Sequence, residues 1–371
     1  MNFVHKALLG CILLLAVAAC TRKPSAGAGT LPGAGTATEL AALLSNAASQ
    51  GNILYGHQDD LVYGHNWKVT DVAGDPLERS DVRDVAGKWP AVVGFDLGGI
   101  ELGNAENLDG VPFELMRKAA RAHVQRGGVV TFSWHPRNPL TGGDAWDVSS
   151  DEVVWSVLPE GDGHETFMEW FRRAADFIES LDGIPVIFRP WHENLGSWFW
   201  WGWRLCSARE YKELYRMTWT YFTVERGLDN ILWCYSPNGP VVAEDFLSRY
   251  PGDDCVDILG TDIYEYPGGD GLEAAGVRYA AQIRDMLSVL KDLAAEHDKL
   301  FCLSETGLEG LTDPQWWTGV LYPAIKGSGI SYVLTWRNAH DQPGHFYAPW
   351  KGFDHADDFK QFADKDDIIL L

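Results

Sequence analysis

The stretch Ile184–Trp203 reads IPVIFRPWHENLGSWFWWGW, and the rest of the 371-residue chain can be organised around it. Ile184, Val186, Ile187 and Phe188 form a short apolar, β-branched run introduced by Gly183 and Pro185, the signature of a strand. The run ends in an acid, Glu193, directly after His192. Trp191 precedes the acid, and Trp198, Trp200, Trp201 and Trp203 follow it. Apolar rings beside a carboxyl disfavour its charged form and raise its pKa, which makes a general acid. Flat indole faces also stack on the C–H faces of sugar rings. The plain alternative is a hydrophobic patch with a solvated glutamate at its edge, but cores seldom cluster indoles beside an acid.

Outward from this stretch, short apolar strands alternate with helical runs from Thr38 onward, which predicts a parallel sheet. The strand candidates are Ile53–His57, Ala91–Asp96, Val129–His135, Ile184–Glu193, Ile231–Ser236, Val256–Tyr264, Leu300–Glu305 and Ser331–Trp336. Amphipathic runs lie between them at Phe113–Arg126, His164–Leu181, Ala208–Glu225, Ala274–His297 and Pro314–Lys326. Eight β/α units over residues 38–371 fit a closed (β/α)8 barrel of the TIM type, with Asn138–Gly143 and Pro267–Gly271 as insertions at its mouth. An open doubly wound sheet is the alternative, weakened because no glycine-rich phosphate turn follows the first strand.

The chain carries 30 Lys and Arg against 52 Asp and Glu, a formal charge of −22, and no basic block to grip phosphates. Nucleic acid is therefore excluded as an expected partner. Seventeen Trp call for a cleft or surface that uses flat apolar platforms. At the N-terminus, His5 and Lys6 precede an apolar run, Ala7–Ala19, too short to cross a bilayer as a finished helix. Residues 1–19 are expected to be a signal peptide. Val17-Ala18-Ala19-Cys20 resembles the lipobox of bacterial lipoproteins, in which Cys20 would carry the lipid, with an ordinary secretory cleavage as the alternative. Residues 20–37 are expected to be a flexible tether. The absence of an acidic run after Cys20 favours an anchor facing the periplasm over the cell surface, with the membrane touched through the lipid alone. Cys206, Cys234, Cys255 and Cys302 have no CxxC spacing, so neither a zinc site nor a disulfide is indicated. Cys234 and Cys302 read as buried hydrophobes within strands.

In a (β/α)8 barrel the chemistry sits at the C-terminal strand ends. There this chain places His135, His192, Glu193, Asp262, Tyr264, Ser304, Glu305, Trp336 and Arg337. Two carboxyls facing one cleft are the minimal apparatus for glycoside hydrolysis: a protonated one serves the departing oxygen and an ionised one attacks the anomeric carbon. Arg189, Trp191 and Glu193 share one strand parity, as do Asp262 and Tyr264. Arg189 and Tyr264 aimed at Glu305 would hold it ionised as a nucleophile, while Arg189 can at the same time pair with a supporting Asp262. Glu193, flanked by indoles, is then the acid. His135 and His192 lack the HExxH spacing of a zinc helix and are expected to bond sugar hydroxyls or the carboxylates, with no metal and no cofactor. His57 and His65 read as surface or structural. Ser133 and Ser304 lack a base at elbow spacing, which argues against esterase chemistry.

The run Arg189-Pro190-Trp191-His192-Glu193-Asn194-Leu195-Gly196-Ser197-Trp198-Phe199-Trp200-Trp201-Gly202 resembles the acid/base signature of glycoside hydrolase family 26, whose best-known members are β-mannanases. Leu303–Gly307 resembles that family's nucleophile motif, and Thr261–Tyr264 the segment whose Tyr bonds the nucleophile. Trp134-His135-Pro136 and Val333–Asn338 resemble stretches lining its sugar subsites. The resemblance implies retaining hydrolysis of β-1,4-mannosidic bonds in mannan, glucomannan or galactomannan, with Glu193 as acid/base and Glu305 as nucleophile. It implies His135, His192, Trp198, Tyr264 and Trp336 beside the scissile bond. Release of mannobiose from chain ends and cleavage of mixed-linkage β-glucan are the family's other options; a lipid-anchored glycan-binding protein without turnover is the non-enzymatic one. A monomer is expected.

Overall fold

In the computed structural model, residues 31–70, 78–269 and 271–371 are described. The signal segment, most of the tether and Cys20 lie outside them. Eight parallel strands follow in sequence order: β1 Ile53–Gln58, β2 Val92–Asp96, β3 Val129–Trp134, β4 Val186–Pro190, β5 Ile231–Tyr235, β6 Ile258–Glu265, β7 Leu300–Leu308 and β8 Tyr332–Thr335. β8 pairs back onto β1, with Leu54 opposite Tyr332 and His57 opposite Thr335, so the sheet closes into the (β/α)8 barrel and the open-sheet alternative falls. No helix among the described residues is long and apolar enough to cross a membrane.

Alternation along the strands sorts the side chains into two shells. Inward-facing Leu54, Val92, Val129, Ile187, Leu232, Ile258, Cys234, Cys302 and Leu334 fill the barrel and join helix α1, Ala37–Ser49, which closes its floor through Leu40, Leu43, Leu44 and Ala47. Thr36 caps that helix, and Leu31 and Ala34, from the stretch read as tether, lie against the same floor. Outward-facing residues such as Tyr55, Phe95, Phe132, Phe188 and Trp233 pack under an outer ring of helices. The amphipathic runs supply that ring: α2 Phe113–Gln125, α3 His164–Glu179, α4 Ala208–Trp219 and α5 Leu272–His297. In α3, Phe167, Phe171, Ala174, Ala175 and Ile178 recur at helical spacing and are all buried. Burial of each large apolar side chain there stabilises by about 1.5–3 kcal/mol. The run Pro314–Lys326 divides into a wide turn, Trp316–Leu321, and a short helix, Tyr322–Ile325.

Cys206, Cys234, Cys255 and Cys302 are free thiols, all buried. His57 is not at the surface: it is buried, and its Nδ1 bonds Asp60 Oδ1 at 2.8 Å. His65 stacks on Trp350 at 3.4 Å. Both are structural.

Candidate active site

Two local departures from regular strand geometry put the two glutamates where they are. The first is at the end of β4. The strand stops at Pro190, and Trp191 and Glu193 both take the left-handed conformation, with φ of 56° and 54°. The parity expected to run from Arg189 through Trp191 to Glu193 therefore breaks. Trp191 turns outward and is fully buried, its indole N–H donating to Thr218 Oγ1 at 2.9 Å. Left-handed backbone at bulky residues persists only where the surroundings enforce it, and such strain concentrates at functional sites. Here the Glu193 amide donates to the Ser236 carbonyl at 2.8 Å and the Trp201 indole to the His192 carbonyl at 2.7 Å.

The second departure lies in β7. Thr261 is opposite Leu303, but the next β6 residue, Asp262, is opposite Glu305, so Ser304 is one residue extra. This bulge breaks the two-residue alternation. Ser304 points into the barrel, donating to Asp262 Oδ1 at 2.6 Å, and the adjacent Glu305 also faces the cleft. Gly260 makes room for that hydroxyl, since a Cβ there would stand 2.5 Å from Ser304 Oγ.

Between the glutamates sits one buried cation. Arg189 donates through Nη1 to Asp262 Oδ2 at 2.8 Å and to Ser236 Oγ at 3.1 Å, and through Nη2 to Glu305 Oε1. Tyr264 donates to the other Glu305 oxygen at 2.7 Å. Glu305 thus receives two strong donors, a pattern suited to a carboxylate. Glu193 receives no cation among the described residues; Trp198 Nε1 donates to its Oε2 at 2.6 Å. Burial, with repulsion from Glu305 second, pushes the Glu193 carboxyl up to about 7, against the opposing pull of the Trp198 bond. Burial raises Asp262 as well, yet Arg189 and Ser304 donate to its two oxygens. Of these three acids only Glu193 has no guanidinium bonded to it, which is the environment a proton donor needs.

Oxygens of Glu193, Asp262 and Glu305 all lie within 4.8 Å of one another. Three converging carboxylates are also a pattern that holds a cation, but Arg189 already bridges two of them and supplies the positive charge of the triad. Oxygens of Glu193 and Glu305 within 4.8 Å of each other suit the close carboxyl pair of retaining glycosidases, about 5–5.5 Å apart, better than the about 6.5–9.5 Å gap of inverting ones.

The cleft above them has a volume of about 300 Å³ and is lined by His135, Trp146, His192, Glu193, Trp198, Phe199, Tyr264, Tyr266, Glu305, Trp336 and Tyr347. Seven residues singled out from sequence meet here: Glu193, Glu305, His135, His192, Trp198, Tyr264 and Trp336. Arg189 and Asp262 lie beneath the floor and hold Glu305. The expected wall of indoles is corrected. Of the five tryptophans around Glu193, only Trp198, 42% exposed, borders the acid; Trp191, Trp200 and Trp201 are buried behind it, and Trp203 faces elsewhere. Burying those indoles in the outer shell fixes the loop that presents Glu193.

His135 Nδ1 bonds Asp96 Oδ2 at 2.6 Å, and its Nε2 meets His192 Nε2 at 3.0 Å. Burial works against the charged His135, but Asp96 overrides it and raises the group, whereas burial, Arg189 and His135 drive His192 well down. Facing ring nitrogens at that distance share a single proton, so the pair is a fixed polar wall rather than two free bases. Sequence reasoning missed Asp96, Trp146, Phe199, Tyr266 and Tyr347. Trp146 sits in the segment following Asn138–Gly143, where an insertion was expected; it stacks parallel to His135 at 5.3 Å. No local signal marks Tyr347, which follows β8 and reaches the cleft beside Tyr264.

Fold and site together define a (β/α)8 barrel with a paired-glutamate cleft. The family model described as Glycosyl hydrolase family 26 matches residues 34–283. The chain belongs to that family. It is 32% identical over 335 residues to a mannan endo-1,4-beta-mannosidase of Bifidobacterium adolescentis, covering 84% of this chain and 33% of that one. It is 33% identical over 205 residues to a protein of the same name from Bacillus subtilis strain 168, covering 50% and 54%. The chain thus spans about a third and about half of these relatives' lengths. Among solved structures, a GH26 beta-mannanase from Bacteroides ovatus superposes with a TM-score of 0.84 at 44% identity, covering 91% of this chain and 95% of that one. An endo-beta-1,4-mannanase of Cellulomonas fimi superposes with a TM-score of 0.79 at 31% identity, over 92% and 76%.

Proposed function

We propose that this protein is a retaining endo-β-1,4-mannanase acting on mannan, glucomannan or galactomannan by double displacement. Glu305 Oε attacks the anomeric carbon while protonated Glu193 delivers its proton to the departing glycosidic oxygen, giving a covalent mannosyl-enzyme and a shortened chain. Glu193, now ionised, takes a proton from water, whose oxygen attacks the same carbon and releases Glu305. Arg189 and Tyr264 hold the attacking carboxylate in register, and Trp198 orients the acid. His135, His192 and Trp336 line the sugar beside the bond. What carries this reading is the pair of carboxyls within 4.8 Å in opposite charge environments, one bonded by a guanidinium and one not. The names of the mannan-cleaving relatives support the choice of mannan over other β-glycans.

The anchor belongs to the same reading. Cys20, in the segment 20–37 read as tether, is assigned the lipid, and the barrel faces the periplasm, supported by Val17-Ala18-Ala19-Cys20.

A timed product profile on mannohexaose, with lichenan as the control polysaccharide, tests the activity. A spread of lengths with retained anomeric configuration is expected. Mannobiose alone from the first time point would replace internal cleavage by end-directed attack, and faster release from lichenan would reassign the substrate. Mass spectrometry of the membrane fraction, where Cys20 is to carry acyl chains, tests the anchor; an unmodified N-terminus after Cys20 or nearby would refute it.

A further inference from the structure

A second cavity, of about 520 Å³, opens where the loop after β4 meets the helix Ala243–Ser248; Leu195, Trp203, Ser207, Asp245, Ser248 and Arg249 line it. It shares no lining residue with the catalytic cleft, although one loop serves both. Glu193, Trp198 and Phe199 face the cleft, and Leu195, Trp203 and Ser207 face the second cavity. Trp203 is 50% exposed, with the Arg204 guanidinium over its ring at 5.1 Å. The part of the indole left in water is a flat apolar surface on which a sugar ring can stack.

The lining selects the ligand class. Arg249 is 4% exposed, and its guanidinium is committed to backbone: it donates to the carbonyls of Trp203 at 2.9 Å, of Trp201 at 3.4 Å, and of Cys206. It therefore fixes the platform and is not free for an anionic ligand. Asp245 makes no side-chain hydrogen bond among the described residues and is an open acceptor for hydroxyl donors. The Ser207 and Ser248 hydroxyls are spent on Glu210 and on the Asp245 carbonyl; a flat indole and an unpaired carboxylate, on a chain of formal charge −22, suit a neutral polyhydroxylated chain and oppose a polyanion.

We propose that this cavity is a second glycan-binding site. It takes a backbone segment of the same neutral β-linked hexopyranosyl polymer that the catalytic cleft cleaves, one ring stacked on Trp203 and its hydroxyls on Asp245. The assignment rests on the mannanase reading for the identity of the polymer. Binding here would hold the polymer near the cleft and raise its effective concentration there.

The test uses the full chain with Trp203→Ala and Trp203→Phe. In a Glu305→Gln background, affinity electrophoresis in linear mannan and in galactomannan is expected to give about tenfold weaker retention for Trp203→Ala on both, with Trp203→Phe restoring most of it. In the active background, kcat/KM on mannotetraose stays unchanged while the rate on insoluble mannan falls. Undiminished retention of Trp203→Ala overturns the second site, and loss confined to galactomannan overturns backbone recognition in favour of the galactosyl branches. A wild-type protein that hydrolyses no mannan sinks the mannanase reading instead, and retention on a panel of neutral β-glycans then reports on Trp203 separately.

Discussion

The two glutamates face each other across less than 5 Å, yet they are held by opposite means. Glu305 sits on a hydrogen-bonded strand, and both its oxygens are taken by donors, one a buried guanidinium. Glu193 sits past the end of a strand, in left-handed backbone, with a neutral indole as its only side-chain donor among the described residues. One environment favours charge and the other favours a proton. The lesson is that acid and nucleophile are distinguished by where one cation is placed, since the side chains themselves are identical.

The sharpest way to break the comparison is Glu305→Ala, which removes the attacking group; the rate on mannan should drop by roughly four to six decades. Glu193→Ala should lose about two to four decades on mannan, the usual share of a general acid or base. If the roles are as drawn, an aryl mannoside with an activated leaving group restores the first step for Glu193→Ala and not for Glu305→Ala. Equal losses on both substrates would erase the distinction. Removing the cation tests its cause. Arg189→Met leaves Asp262 and Glu305 buried without a counter-charge and should lower stability by about 3–5 kcal/mol, read by denaturant unfolding, with larger activity loss.

Two further measurements sharpen it. The Glu193 carboxyl titrates near 7 in the folded chain against an ordinary value of 4.5. Between those values the folded protein holds a proton that the unfolded one has released, so stability falls as pH rises through that window. Glu193→Gln escapes this loss: its stability should exceed wild type by on the order of 1–3 kcal/mol at pH 8, and match it near pH 4. The activity of the wild type should decline above pH 7 as the acid deprotonates. Because Trp198 donates to the charged form of Glu193, Trp198→Phe should move that basic limb to higher pH, by less than one unit. A limb that moves down, or stays, would remove Trp198 from the titration.

Much of this was legible in the chain because it is local. The eight strands announce themselves as apolar runs of fitting length, and α2 to α5 as stretches of helical period. Glu193, Glu305, His135, His192, Tyr264 and Trp336 could be named because barrel chemistry gathers at strand ends. The indole wall was misjudged because composition does not say which face of a loop a side chain takes. Trp191, Trp200 and Trp201 lie close to the acid in sequence but pack against Phe167 and one another in the outer shell. Asp96 was invisible as a site residue because its role, orienting His135, exists only across β2 and β3.

The sequence by itself determined the barrel, the strand ends that carry chemistry and the residue types found there, since these follow from periodicity and from polar residues placed after apolar runs. Only the tertiary structure decided which way those residues point. Counting by twos from Cys302 would send Ser304 inward and Glu305 outward; the bulge against β6 turns Glu305 to the cleft. Counting from Arg189 would put Trp191 in the cleft; two left-handed residues place Glu193 there and bury the indole. Bulges and strained turns are set by contacts between distant strands and helices, and a single stretch of chain does not encode them.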